Sequence, residues 1–194
     1  MNDESSADST ADVSDEDLVA AFLDGRREAF AHLYRRYYGR TYRLAYGMTA
    51  NREAAEDLTQ EVFMRIYGRL SQFEGSARFS TWFYRVAINL CLRHRERLRR
   101  RTEVAVDVDA LADRGAVEHV DDTILAAQVG DQVHRALLSL RSVPRMIVIL
   151  KDIEGLSYAE IADRLNCSEG TVASRLNRAR TLLGRKLAHL KGAI

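Results

Sequence analysis

SYAEIADRLNCSEGTVASRLNRAR, residues 157–180, decides how the C-terminal part of the chain folds. Ser157, with Glu160 three residues on, has the spacing of a capping box, and Ile161, Ala162 and Leu165 then share one helical face. Asn166, Cys167 and Ser168 interrupt that helix. Ser168 can cap the next one, and Gly170 offers the small side chain that close packing of the two helices would need. Val172, Leu176, Ala179 and Leu183 return at helical spacing as a buried stripe, while Ser174, Arg175, Asn177, Arg178 and Arg180 fall on the other face. No acidic residue occurs between Thr171 and Lys191, so nothing within that helix opposes attraction to phosphate. Two short helices, a tight turn and a basic second helix are the layout of a helix-turn-helix, which lays its second helix in the major groove. An ordinary helical hairpin with a solvated basic face is the competing reading. Capping, turn, stripe and charge favour the first, because all agree at the spacing DNA reading requires.

The rest of the chain reads outward from there. With 194 residues, 46% of them hydrophobic, and a single proline, it suits one large or two small helical domains. No apolar run approaches the roughly 20 residues of a membrane span, and the acidic, polar N-terminus is not a signal peptide. Cys91 and Cys167 lack metal-ligand spacing and read as reduced core or turn residues. The net charge of +1 conceals segregation. Asp3, Glu4, Asp8, Asp12, Asp15, Glu16 and Asp17 have no basic counterpart, six arginines between Arg93 and Arg101 face only Glu96, and the segment 102–122 turns acidic again. Such blocks suggest acidic connectors around two cationic, nucleic-acid-facing surfaces, which the tail and linker would shield in the free protein.

Periodicity divides the chain into an acidic tail (1–13) with little to bury, a four-helix domain (14–101), a linker (102–121) and a second helical domain (122–194). Ser14, Asn51 and Ser80 are the expected helix caps of the first domain, and Gly25 the stop of its first helix. On the third helix Asp57, Gln60, Glu61 and Met64 recur at three- and four-residue intervals, between Glu53 and Glu56 upstream and Arg65 downstream. Acids near a helix N-terminus are favoured by its dipole. The same spacing also makes a mixed polar and apolar patch for another protein's helix, and both readings stand. A catalytic carboxylate pair or a metal site lacks any accompanying histidine or cysteine. On the fourth helix Trp82 and Phe83 suit a core, whereas Phe73 in the preceding loop, with Asn89, Arg93 and Arg97, combines the rings and guanidiniums that bind single-stranded DNA.

These pieces occur in the order found in bacterial RNA polymerase sigma factors, and the chain resembles their extracytoplasmic-function group. AEDLTQEVFMRIY (Ala55–Tyr67) resembles that group's core-polymerase-binding helix, and FSTWFYRVAINLCLRHRERLRRR (Phe79–Arg101) its promoter-melting, minus-ten-reading helix. DIEGLSYAEIADRLNCSEGTVASRLNRAR (Asp152–Arg180) resembles its minus-thirty-five-reading helix-turn-helix. The resemblance implies that Asp57, Gln60, Glu61 and Phe63 support docking on the polymerase clamp helices. It also implies that Phe73, Asn89, Arg93 and Arg97 serve the minus-ten element, the loop from Gln72 to Phe79 taking a flipped base. Thr171, Ser174, Arg175, Arg178 and Arg180 would contact the minus-thirty-five element. Ala173 and Asn177 depart from the side chains usual in the group and leave the promoter sequence open, and Leu140-Arg141 replaces the usual Leu-Pro, with Pro144 displaced.

The expected protein is therefore an all-α initiation subunit, not an enzyme and without a cofactor. Its implied partners are core polymerase, at clamp helices and flap, promoter DNA, and an anti-sigma factor that could hold it at the inner membrane; the implied location is the bacterial cytoplasm, at the nucleoid. A stand-alone helix-turn-helix regulator would leave the acidic helix face and the arginine helix idle. A helical enzyme would have to use the Glu56, Asp57 and Glu61 carboxylates.

Overall fold

The computed structural model describes residues 13–104 and 122–188; the expected tail up to residue 12 and the expected linker from 105 onward lie outside the described residues. Among the described residues all regular elements are helical, and the α-helices fall in two groups of four. The first comprises α1 (Asp15–Leu23), α2 (Ala29–Thr49), α3 (Arg52–Tyr67) and α4 (Phe79–Val104). The second comprises α5 (Asp122–Leu138), α6 (Ser142–Val148), α7 (Tyr158–Leu165) and α8 (Glu169–Lys186). None is long and apolar enough to cross a membrane.

Short-range signals set four of the helix starts. Ser14 Oγ accepts from the Asp17 N–H at 3.1 Å and Asn51 Oδ1 from the Ala54 N–H at 2.8 Å, each satisfying a donor that a helix start leaves open. Gly25, at φ +94°, turns the chain after α1. One expectation fails. Ser80 does not cap α4, which begins at Phe79; the Phe79 N–H is taken by Glu16 Oε1 at 2.9 Å, an acceptor carried in from α1. The helix runs on to Val104. The displaced Pro144 is accommodated in the first turn of α6, where an N–H has no intrahelical partner to lose.

The first group closes around aromatic rings. Tyr37 stacks on Phe83 at 4.4 Å between centroids, and Phe63 and Phe79 meet the same ring at 5.6 and 6.0 Å. Burying such a ring fully contributes roughly 1.5–3 kcal/mol. Tyr37 donates its hydroxyl hydrogen to Asp15, which also takes Arg36, so one carboxylate clasps α1 to α2. Cys91 lies fully buried in this group, and burial pushes its thiol up to about 12, leaving it inert.

The core does not stop at the boundary between the groups. Buried residues form one cluster from Leu18 to Ala179, with α7 packed on α4 and α6 on α2. At its centre is Arg145, 0% exposed. Its Nε donates to Leu137 O at 2.7 Å, its Nη2 to Leu138 O and, at 2.9 Å, Leu140 O, and its Nη1 to Met48 O at 3.0 Å. Carbonyls at the ends of α2 and α5, and one just past α5, thus share one guanidinium. Desolvation, and then the charge of Arg95, lower its pKa to about 10, so it is still charged at neutral pH.

Candidate functional site

Three surfaces carry the residues singled out by sequence. The first is on α3. Arg52 follows the Asn51 cap, and Ala55, Leu58, Val62 and Ile66 turn inward, which forces the intervening polar residues out. Asp57, Gln60, Glu61, Met64, Arg65, Gly68 and Arg69 line a shallow groove there. Met64, at its middle, is 76% exposed, an uncommon position for a large apolar side chain. Glu61 pairs with Arg97 of α4 at 3.5 Å, so this surface and the arginine helix touch. Phe63 differs from the others. It is 4% exposed, with its ring 4.5 Å from that of Tyr34, and it supports α3 from beneath instead of facing outward.

The second surface is the outer stripe of α4. Phe79, Phe83, Ala87 and Cys91 are fully buried, whereas Asn89, Arg93 and Arg97 are exposed at successive four-residue steps along one side. Trp82 is half-buried. Phe73 is half-buried too, meeting Phe79 edge-on at 5.5 Å and Trp82 at 5.8 Å, so the loop before α4 has an aromatic floor while Glu74 to Arg78 stand in solvent. Gly75, at φ +71°, makes the bend of that loop.

The third is the helix-turn-helix. The capping box forms, Ser157 Oγ accepting from Glu160 N and the Glu160 carboxylate from Ser157 N at 2.8 Å. Asn166, at φ +50°, ends α7, and Ser168 Oγ caps α8 through the Thr171 N–H at 3.2 Å. Gly170 is not needed for close packing, since an added Cβ would meet only Ser168 Oγ, at 4.0 Å. Val172, Leu176 and Ala179 are buried, Thr171 is half-buried, and Ser174, Arg175, Asn177, Arg178 and Arg180 are exposed. Charge on this face is less unopposed than the sequence of α8 implies. After α6 the chain widens into a π-helical turn, Ile149–Ile153, and Asp152 of that turn accepts from two nitrogens of Arg180, Nε at 3.2 Å and Nη2. The hydrogen bond to Asp152 raises the Arg180 pKa further. Asp152 was legible only as part of a motif; its pairing spans 28 residues.

The α3 groove and the α4 stripe stand on the first group, the recognition face of α8 on the second. Residues 33–101 match the family Sigma-70 region 2 and residues 130–183 match Sigma-70, region 4. The ECF RNA polymerase sigma factor SigM of Mycobacterium tuberculosis is 36% identical over 93% of this chain and 88% of its own length. SigW of Bacillus subtilis, another ECF RNA polymerase sigma factor, is 31% identical over 86% of this chain and 92% of its own. A solved structure of the sigma factor RpoE with the anti-sigma factor NepR, from Bartonella quintana, shares the fold with TM-score 0.64 at 23% identity, covering 82% of this chain and 96% of that one. With both sigma-70 regions in order and relatives of this likeness matched almost end to end, the chain belongs to the ECF RNA polymerase sigma factors.

Proposed function

We propose that this sigma factor docks on core RNA polymerase through the α3 groove, places residues 14–101 on the minus-ten element and residues 122–194 on the minus-thirty-five element, and stabilises the opened strand. The observation that carries the reading is the open face around Met64, with Asp57, Gln60 and Glu61 beside it, on the same chain as the exposed arginine face of α8. Exposed apolar surface rimmed by charge suits a protein partner. Phe63 acts by holding that face in place.

Asn89, Arg93 and Arg97 follow the minus-ten backbone and bases, and the loop over Phe73 receives a flipped base, which stacks on the aromatic floor. Thr171, Ser174, Arg175, Arg178 and Arg180 approach the minus-thirty-five element in the major groove. Those that reach base edges discriminate by about 1–3 kcal/mol each, and those that reach phosphate add affinity without sequence information. The likeness in fold to a sigma factor held by an anti-sigma factor supports a similar inhibitor here, and action in the cytoplasm at the nucleoid follows from the polymerase partner. No step makes or breaks a bond on this chain's own residues.

In vitro transcription with core polymerase over a randomised promoter pool tests the reading. Transcripts starting downstream of one enriched pair of elements are expected. Absence of any transcript above core polymerase alone would sink it.

A further inference from the structure

None of the three surfaces draws a residue from α1, yet two consecutive acids of that helix converge on the start of α4. Arg78 O accepts from Thr81 N and Trp82 N at 3.0 and 3.2 Å, which puts Arg78 at the capping position of α4. Its guanidinium has no acceptor to offer a backbone N–H, and Ser80 stands two residues too late. The Phe79 N–H is left to Glu16 Oε1, at 2.9 Å. Asp15 meanwhile takes the Tyr37 hydroxyl, and the Tyr37 ring lies edge-on to Phe79 at 5.7 Å and stacks on Phe83 at 4.4 Å. One acid thus holds the backbone of Phe79, and its neighbour holds a ring beside it. Leu18 and Val19, both buried, keep α1 seated on the core.

We propose that Glu16 is a positioning residue for promoter opening: by closing the first turn of α4 it fixes the aromatic floor on which the flipped minus-ten base stacks. The inference rests on the sigma reading above and on the base capture it gives to this loop. Phe73 meets two rings, Phe79 at 5.5 Å and Trp82 at 5.8 Å, and both belong to that first turn. Fraying of the turn therefore takes away the support of Phe73 and moves Trp82 with it. Phe79 is 0% exposed, so it carries the hold of Glu16 to the floor without touching the base. Glu74 to Arg78 stand in solvent and give the floor no such support. A helix cap shifts the closing of its turn by about fivefold. Base stacking on aromatic rings is worth roughly fivefold to a hundredfold in affinity, so a loosened floor forfeits a readable share of it.

The test titrates holoenzyme, made with the full chain, against a promoter template opened by mismatches over the minus-ten element, each non-template position being made abasic in turn. Wild type should lose about tenfold in affinity at the position whose base the floor holds, and less at the others. In Glu16→Ala that penalty should fall to about twofold, because a loosened floor has little stacking left to lose. Glu16→Gln should restore it, since an amide oxygen accepts the Phe79 N–H as a carboxylate does. Affinity for core polymerase, measured by competition, should be equal in all three proteins. A general loss of stability would instead weaken that affinity and leave the abasic penalty of the bound molecules where it was. An undiminished penalty in Glu16→Ala, or no recovery in Glu16→Gln, overturns the proposal. Wild type that binds polymerase and shows no penalty at any position overturns base capture, and the positioning role with it. Wild type that binds no polymerase overturns the sigma reading and takes both with it.

Discussion

Glu16 of α1 receives the N–H of Phe79, the first residue of α4, at 2.9 Å across 63 residues of sequence. The start of α4 is therefore fixed by α1, at the side of the loop that carries Phe73. Glu16→Ala should cost about 1 kcal/mol, the usual worth of a helix cap, and raise amide hydrogen exchange at Phe79 and in the first turn behind it. Unchanged exchange there would show that the contact does not hold the helix start.

Met64 gives the α3 surface its apolar centre. Met64→Glu should weaken holoenzyme formation about tenfold or more, in keeping with the loss of a well-placed interface anchor, and leave folding and DNA-only binding as they were. Competition binding against a labelled sigma subunit measures the first, and thermal unfolding the second.

Asp152 neutralises part of the α8 face through Arg180. Asp152→Asn should release one cationic side chain to the phosphates, steepening the logarithmic salt dependence of DNA binding by about 0.9. A salt titration from low to moderate ionic strength reads the slope directly. An unaltered slope would mean that Arg180 does not meet DNA.

Glu160 is the titrating member of the capping box. Hydrogen bonds from the Ser157 backbone, then from its hydroxyl, hold the Glu160 carboxyl below the usual carboxylate range. A group whose pKa is lowered by folding adds stability above its unfolded value and loses it as pH falls through the folded one. Wild type should therefore lose stability faster than Glu160→Gln as pH falls from about 5 to 3, with the two denaturant midpoints converging. Parallel midpoints over that range would refute the assignment.

Four of the helix starts show what sequence could supply. Ser14, Asn51, Ser157 and Ser168 cap helices through a backbone N–H three residues on, a pattern visible at a glance along the chain. Ser80 has the same residue type and fails, because the acceptor that wins comes from Glu16, far away in sequence. The polar residues on the α3 face were legible by spacing, and so was the inward turn of Phe63, which falls with Leu58, Val62 and Ile66 on the apolar stripe of the helix; what spacing leaves out is the pair of rings it meets, Tyr34 and Phe83. Arg145 and Gly47 were illegible for a stronger reason. One resembles a solvated charge and the other a helix weakness; Gly47 acquires its meaning from Ile149, and Arg145 from nearby carbonyls at the end of α5 together with Met48 O, 97 positions away.

The π-helical turn Ile149–Ile153 has two clients. Ile149 fills the space that Gly47 leaves, and Asp152, three residues later, holds Arg180 on the recognition helix. The widened turn aims both side chains at once, as a crank turns two shafts. Shortening it by a single residue would misdirect the two together, so insertions and deletions here should be tolerated far less well than substitutions.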